Sequence, residues 1–305
     1  MSLRLTILGS SGALPVAGRF TTAQLLVIQN RSYLIDCGEG TQMQMTNLQL
    51  SPFKIDAIFI SHLHGDHYLG LLPLLFSLHL HKREAELHLY GPVGLDEIIT
   101  LQLKYAKSVL HYPLVFHPVD PGTSQPIMED DVVTVSTIPL DHKLACAGFL
   151  FQEKTKPRRI NKPHLVDGLQ PQQMAALKAG HDVVDAAGNV LYRNEDLTLP
   201  PRPSLSYAFC SDTAWHPAIA DKIRGVDLLY HEATFLHADL HKAIETRHST
   251  AAQAGEMAQL AQVKKLIIGH FSARYKDLNV LLQEARTHFA NTELALEGTD
   301  FVLTD

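Results

Sequence analysis

Ser61-His62-Leu63-His64-Gly65-Asp66-His67 follows directly on the apolar run Ala57-Ile58-Phe59-Ile60. A short β-branched and aromatic run of this kind reads as a buried strand. Gly65 inside the polar cluster reads as a tight loop. The loop therefore gathers three imidazoles and one carboxylate within six positions at the end of a strand. Imidazole nitrogen and carboxylate oxygen are zinc ligands, and one loop can aim several of them at a common point. A polar loop with scattered histidines would account for one His. It does not account for His-x-His-x-Asp-His behind a buried strand.

Composition bounds the rest. The chain has 305 residues, 46% of them hydrophobic and 19% charged, which fits a globular protein with a sizeable core. No uncharged apolar run of about 18 residues occurs, so no membrane partner is expected. The start, Met1-Ser2-Leu3-Arg4-Leu5, lacks the basic region and continuous apolar core of a signal peptide. Cys37, Cys146 and Cys210 are odd in number and far apart, which suggests no disulfide framework and a cytoplasmic setting. The net charge of −6 argues weakly against a polyanionic partner, but net charge ignores distribution and bound metal.

Along the chain, strands are predicted at 3–8, 24–29, 32–36, 57–60, 86–90, 115–119, 132–138, 147–152, 206–210, 227–230 and 265–268, with two closing edge strands at 293–296 and 301–303. Helices are predicted at 41–48, 68–80, 95–105, 217–223, 278–288 and from a Ser249 or Thr250 cap to Ala261. Between Lys154 and Pro203 the periodicity breaks, apart from a short helix at 172–178. An irregular insert of this length in a compact domain signals a functional or mobile segment. Its first half is basic: Lys154, Lys156, Arg158, Arg159, Lys162 and Lys178 stand against Asp167 alone.

Strand ends are where an α/β sheet presents its chemistry. Here they carry His62, His64, Asp66, His67, His142, Asp212, His231, Glu232, His248 and His270. Each alone could be a loop, cap or core residue. Together they can supply two zinc ions with about four ligands each, one carboxylate being shared.

The loop at 62–67, followed by His142, Asp212 and His270, resembles the metallo-β-lactamase superfamily over nearly the whole chain. The resemblance implies an αβ/βα sandwich of two mixed sheets with outer helices, one domain over 1–305, and a dinuclear site. It assigns His62, His64 and His142 to one zinc and Asp66, His67 and His270 to the other, with Asp212 bridging. More specific words narrow the resemblance. His231-Glu232-Ala233-Thr234, His248-Ser249-Thr250, His270-Phe271-Ser272-Ala273-Arg274-Tyr275 and Asp36-Cys37-Gly38-Glu39 look like ribonuclease Z, the tRNA 3′-processing endonucleases, in their short form. The insert at 154–203 lies where that family carries a flexible tRNA-binding arm.

What the resemblance implies is a homodimeric endoribonuclease with two Zn2+ per subunit acting on precursor tRNA. A hydroxide between the metals attacks the phosphodiester, leaving a tRNA 3′-OH and a 5′-phosphorylated trailer. Asp66 is expected to orient that hydroxide while serving as ligand. His248, oriented by Glu232, is expected to protonate the leaving oxygen. Ser272 and Arg274 are expected to bind a phosphate, and the basic residues of the arm to hold the tRNA through its backbone. Two features depart from the family. Pro15-Val16-Ala17-Gly18-Arg19 lacks the Lys of the family's Pro-x-Lys-x-Arg loop, so discrimination against CCA-bearing tRNA stays open, and the arm lacks a Gly-Pro-rich tip. The rival readings are a small-molecule phosphodiesterase or arylsulfatase on the same fold, or a non-catalytic RNA-binding protein.

Overall fold

The computed structural model describes residues 2–165 and 168–304. Asp167, the acidic residue within the basic half of the insert, lies outside them. The chain divides into two compact units, one built from residues up to Gln152 together with Ser206–Thr304, the other from Glu153–Leu205.

The larger unit is two seven-stranded mixed sheets. In order, the first sheet runs Asp300–Thr304, Ser2–Gly9, Ala23–Ile28, Arg31–Cys37, Ala57–Phe59, Leu87–Gly91 and Leu114–Pro118. From Arg31–Cys37 onward its pairings are parallel. The second runs Thr292–Leu294, Leu266–Gly269, Leu228–Glu232, Ser206–Cys210, Cys146–Glu153, Val133–Leu140 and Pro126–Glu129, and its first four strands are parallel. Parallel strands buried on both faces explain the near-continuous apolar runs in the sequence.

Period-2 alternation sorts the side chains. Leu34, Ile58 and Leu89 pack with Leu74, Leu78 and Ile99 of the helices Leu71–Leu80 and Leu95–Tyr105. Their neighbours Tyr33 and Phe59 point the other way, meeting Phe151 of the opposite sheet at 5.6 and 5.3 Å between ring centroids. In the second sheet Ala208, Leu229 and Ile268 pack with Ala254, Met257 and Ala258 of the helix Ala251–Leu260. Each fully buried large side chain contributes about 1.5–3 kcal/mol. The helix starts in a capping box, with Thr250 Oγ1 accepting from Gln253 N and Gln253 Oε1 accepting from Thr250 N. It approaches Asn279–Arg286 so closely that a Cβ on Gly255 would sit 2.5 Å from Ala285 O.

Several elements differ from the sequence reading, which also leaves out the strand Pro126–Glu129 and the helix Leu240–Thr246. The expected helix at 68–80 is two, Gly65–Tyr68 and Leu71–Leu80. The break lets Gly70 N donate to Cys37 O, in a contact where a Cβ would lie 2.0 Å from Gly38 O. Pro73 then falls in the first turn of the second helix, where no N–H is needed. The expected helix at 217–223 is one 3-10 turn, Pro217–Ile219. The turn at Gly9–Gly12 contributes a short parallel ladder, Ser11–Gly12 with Phe271–Ser272.

The insert, read as irregular, is an organised unit. It holds the helix Pro171–Lys178, the ladders Arg159–Ile160 with Thr198–Leu199 and Val183–Val184 with Val190–Tyr192, and a small core of Leu177, Val183 and Leu197. The helix matches the short one read at 172–178, whereas ladder strands of two or three residues are too short to show periodicity, which is why the sequence hides them.

Candidate metal centre

The carboxyl ends of the central parallel strands meet at one end of the larger unit. Ala57–Phe59 delivers the loop 61–64 and the helix Gly65–Tyr68 that carries Asp66 and His67, Ser206–Cys210 delivers Asp212, Leu228–Glu232 ends on Glu232, and Leu266–Gly269 delivers His270. His142 follows Val133–Leu140, and His248 precedes the capped helix.

The side chains form two trios that share one carboxylate. His62 Nε2 and His142 Nε2 lie 3.0 and 3.1 Å from His64 Nδ1. Both also lie near Asp212 Oδ2, at 3.6 and 3.7 Å. On the other side His67 Nε2 and His270 Nε2 lie 3.4 and 3.3 Å from Asp66 Oδ2. The same two nitrogens are 3.4 and 3.2 Å from Asp212 Oδ1. The two oxygens of Asp212 thus face different trios. Converging nitrogen and carboxylate donors at these spacings could hold a metal ion in each group. One buried atom tests the fit: His67 Nε2 has no hydrogen-bond partner among the described residues. A buried polar atom left bare is costly, and a cation between the donors would satisfy it.

For His62, His67, His142 and His270 a partner on the far nitrogen fixes which nitrogen faces the cluster. Asp36 Oδ2 lies 2.7 Å from His67 Nδ1. Ser61 Oγ, 2.9 Å from the same carboxylate, lies 3.0 Å from His62 Nδ1. The Arg247 carbonyl lies 2.8 Å from His142 Nδ1, and Thr234 Oγ1 lies 2.8 Å from His270 Nδ1. Ala13 N donates to Asp66 Oδ2 at 2.7 Å. His270 adopts the left-handed region, φ 59°, and its ring lies where a Cβ on Gly12 would be 2.7 Å away. Such backbone strain persists where the surrounding structure over-determines it.

Burial pulls His62 and His142 below the ordinary imidazole range, which keeps them neutral donors. Burial pushes the other way on Asp66 and Asp212, but the adjacent imidazoles, His67 and His270, hold both carboxyls below their usual range and ionised. Neutral imidazole and ionised carboxylate are the metal-binding forms.

Beside the trios stands a third pair. Glu232 Oε1 lies 2.8 Å from His248 Nδ1 and accepts from Thr213 N at 2.8 Å. Burial opposes charge on His248, yet the Glu232 carboxylate raises it to about 9. His248 borders a cleft of about 540 Å³ whose lining includes His64, Asp66, His142, Asp212 and His270. Lys143, which the sequence reading passed over, adds a cation to that lining.

Other expected site residues sit elsewhere. Arg274 lies over the Phe235 ring at 4.9 Å and 3.6 Å from Asp239 Oδ1, and its Nε donates to Ser272 Oγ. Neither Arg274 nor Ser272 lines the cleft. His231 is buried with Nδ1 on the Glu232 carbonyl, outside both trios. In the insert the Lys156 side chain is 8% exposed, and its ammonium lies 2.8 Å from Glu153 Oε2. Arg158 Nε donates to Thr198 Oγ1 and Arg159 Nε to Pro200 O. Lys162 is exposed and Lys154 half-buried.

Two face-to-face mixed sheets with this cluster at the strand ends define a protein of the metallo-β-lactamase fold. The metallo-beta-lactamase fold protein YhfI of Bacillus subtilis shares the fold, with a TM-score of 0.70 over 99% of each chain at 19% identity. Residues 3–155 match a family model described as Anti-Pycsar protein Apyc1. Ribonuclease Z of Cytophaga hutchinsonii is 46% identical over 305 residues, covering 100% of this chain and 97% of that one. Ribonuclease Z of Bacteroides fragilis is 45% identical over 296 residues, covering 96% and 97%. The human tRNase Z, short form, superposes with a TM-score of 0.69 at 25% identity over 98% of both chains. The chain belongs to the ribonuclease Z family.

Proposed function

We propose that the protein is a zinc-dependent endoribonuclease that removes the 3′ trailer from precursor tRNA. The observation that carries the reading is Asp212 shared between two donor trios at an open cleft, in a chain related to ribonuclease Z over its full length. His62, His64 and His142 would hold one zinc, Asp66, His67 and His270 the other, with one Asp212 oxygen for each. Zinc bound there would supply a Lewis acid and water acidified to a pKa of about 7.

The chain's own residues do the remainder. Asp66, fixed by the Ala13 amide, orients the attacking water's remaining proton. His248 carries a proton at Nε2, its Nδ1 being engaged by Glu232. The water oxygen bonds to phosphorus as the bond from phosphorus to the 3′ oxygen breaks. That 3′ oxygen takes the His248 proton, leaving a tRNA 3′-OH and a 5′-phosphate on the trailer.

The basic insert is the proposed tRNA grip, through Lys154, Arg158, Arg159 and Lys162 and without Lys156. Phosphate contacts of this kind weaken with salt. Ser272 and Arg274 would serve a more distant phosphate, since neither borders the cleft. A homodimer is proposed on the same family membership. We place the enzyme in the cytoplasm, a reading supported by three buried free cysteines. No helix among the described residues is long and apolar enough to cross a membrane.

The test is cleavage of a 3′-extended precursor tRNA, with and without CCA, and mapping of both ends. Deleting residues 154–203 should spare hydrolysis of a small bis-aryl phosphodiester and abolish tRNA processing. Gln152 and Ser206, which flank the insert, are paired neighbours, so a short turn can rejoin the chain. Processing that survives the deletion would overturn the assignment of the insert.

A further inference from the structure

Two buried carboxylates stand behind the cluster, and each is linked to two imidazoles by the same wiring. Asp36 Oδ2 lies 2.7 Å from His67 Nδ1 directly and reaches His62 Nδ1 through the Ser61 hydroxyl. Glu232 lies 2.8 Å from His248 Nδ1 through Oε1. Its other oxygen, Oε2, lies 2.5 Å from Thr234 Oγ1, and that hydroxyl lies 2.8 Å from His270 Nδ1.

Proton counting sets the direction. A hydroxyl has one proton to donate. Thr234 Oγ1 also lies 3.1 Å from the His270 carbonyl and 3.4 Å from His248 Nδ1, but its shortest contact is the ionised Glu232 carboxylate. With its proton on Glu232, the Thr234 oxygen is left as an acceptor. His270 Nδ1 must then be the donor, which leaves Nε2 bare toward Asp66 and Asp212.

We propose that Thr234 is a positioning residue that joins His270 to the Glu232–His248 pair, so that one buried carboxylate orients both a metal-facing imidazole and the cleft-facing one. The inference rests on the metal-facing role of His270 and the proton-donor role of His248 proposed above. Its distinct content is that the two roles are linked through one hydroxyl.

Thr234→Val keeps the branched shape and removes the hydroxyl; Thr234→Ser keeps the hydroxyl. Zinc occupancy is read by chelator competition. In Thr234→Val one equivalent of zinc should bind about 10- to 100-fold more weakly while the other is unchanged, as expected for loss of an outer hydrogen bond to a ligand. Hydrolysis of a poor leaving group should fall more than that of a nitrophenyl ester. Thr234→Ser should restore both. Wild-type zinc affinity in Thr234→Val overturns the proposal, as does a Ser variant as impaired as the Val variant. Should Thr234→Val fail to fold, the tautomer decides. In wild-type protein carrying 15N-histidine and loaded with zinc, His270 should be protonated at Nδ1; a proton on Nε2 overturns the link. If the wild-type protein takes up no zinc, the underlying reading of the site fails instead.

Discussion

Asp36 and Glu232 sit behind opposite halves of the cluster, one in the strand Arg31–Cys37 of the first sheet, the other ending Leu228–Glu232 of the second. Both are fully buried, and each engages one imidazole directly and one through a hydroxyl. They differ in what the imidazoles face. His62 and His67, on the Asp36 side, are fully buried among the donors. On the Glu232 side His270 is buried, but His248 keeps 14% of its side chain exposed and borders the cleft. A carboxylate whose branches are all enclosed can only orient. A carboxylate with one branch open to the cleft can orient a ligand and also hold a proton where substrate reaches it.

The comparison can be broken at four points. Removing metal with a chelator should reduce RNA cleavage to background, and added zinc should restore it. Persistent cleavage in metal-free protein would sink the reading of both halves. Next, His248→Ala should lower the rate about 10²–10⁴-fold for a poor leaving group, the range of a general acid, and much less for nitrophenolate. Equal losses on the two substrates would count against a proton donor.

Asp36→Asn and Glu232→Gln then separate the halves. Each should weaken zinc binding about 10- to 100-fold, because each supports a metal-facing imidazole. Glu232→Gln alone should change the ratio of rates for poor and good leaving groups. A change of that ratio in Asp36→Asn would show that the enclosed half also handles the proton.

The smallest effect is in pH. Glu232 raises the folded His248 to about 9, so the imidazolium is present below that value and lost as pH rises through it. The rate should decline on an alkaline limb at or below about pH 9, the charge of bound metal acting to lower it. Glu232→Gln removes the raising carboxylate and should move the limb toward acid. A limb that stays in place, read from pH–rate profiles of the two proteins, would detach it from His248.

Much of this site is legible in the chain because it is local. His62, His64, Asp66 and His67 fall within six positions directly behind a buried strand, although Gly65, read as part of a tight loop, begins the helix Gly65–Tyr68. The period-2 and helical patterns marked most strands of both sheets, and the Thr250–Gln253 cap is visible in four residues. The insert was the opposite case. Only its helix is marked in the sequence; its ladder strands are two or three residues long, and Leu177, Val183 and Leu197 of its core form no repeat.

The residues that orient the ligands were not legible as such. Asp36 reads only as part of a motif, and nothing nearby says that it meets His67 across 31 positions. The Arg247 carbonyl that holds His142 is 105 positions away, and no side-chain pattern can reveal a backbone oxygen. The contacts of the Arg274 side chain with Phe235 and Asp239 are likewise invisible in the sequence, where only its charge can be read.

The sequence by itself determined the donor types, their order and the strands that deliver them, because strand period and loop composition are properties of neighbouring residues. Only the tertiary structure decided which nitrogen of each imidazole faces the cluster, which two groups the Asp212 oxygens serve, and which histidines line the cleft. The physical reason is that an imidazole's free nitrogen is set by the partner of its other nitrogen, and in this protein most of those partners are distant in sequence.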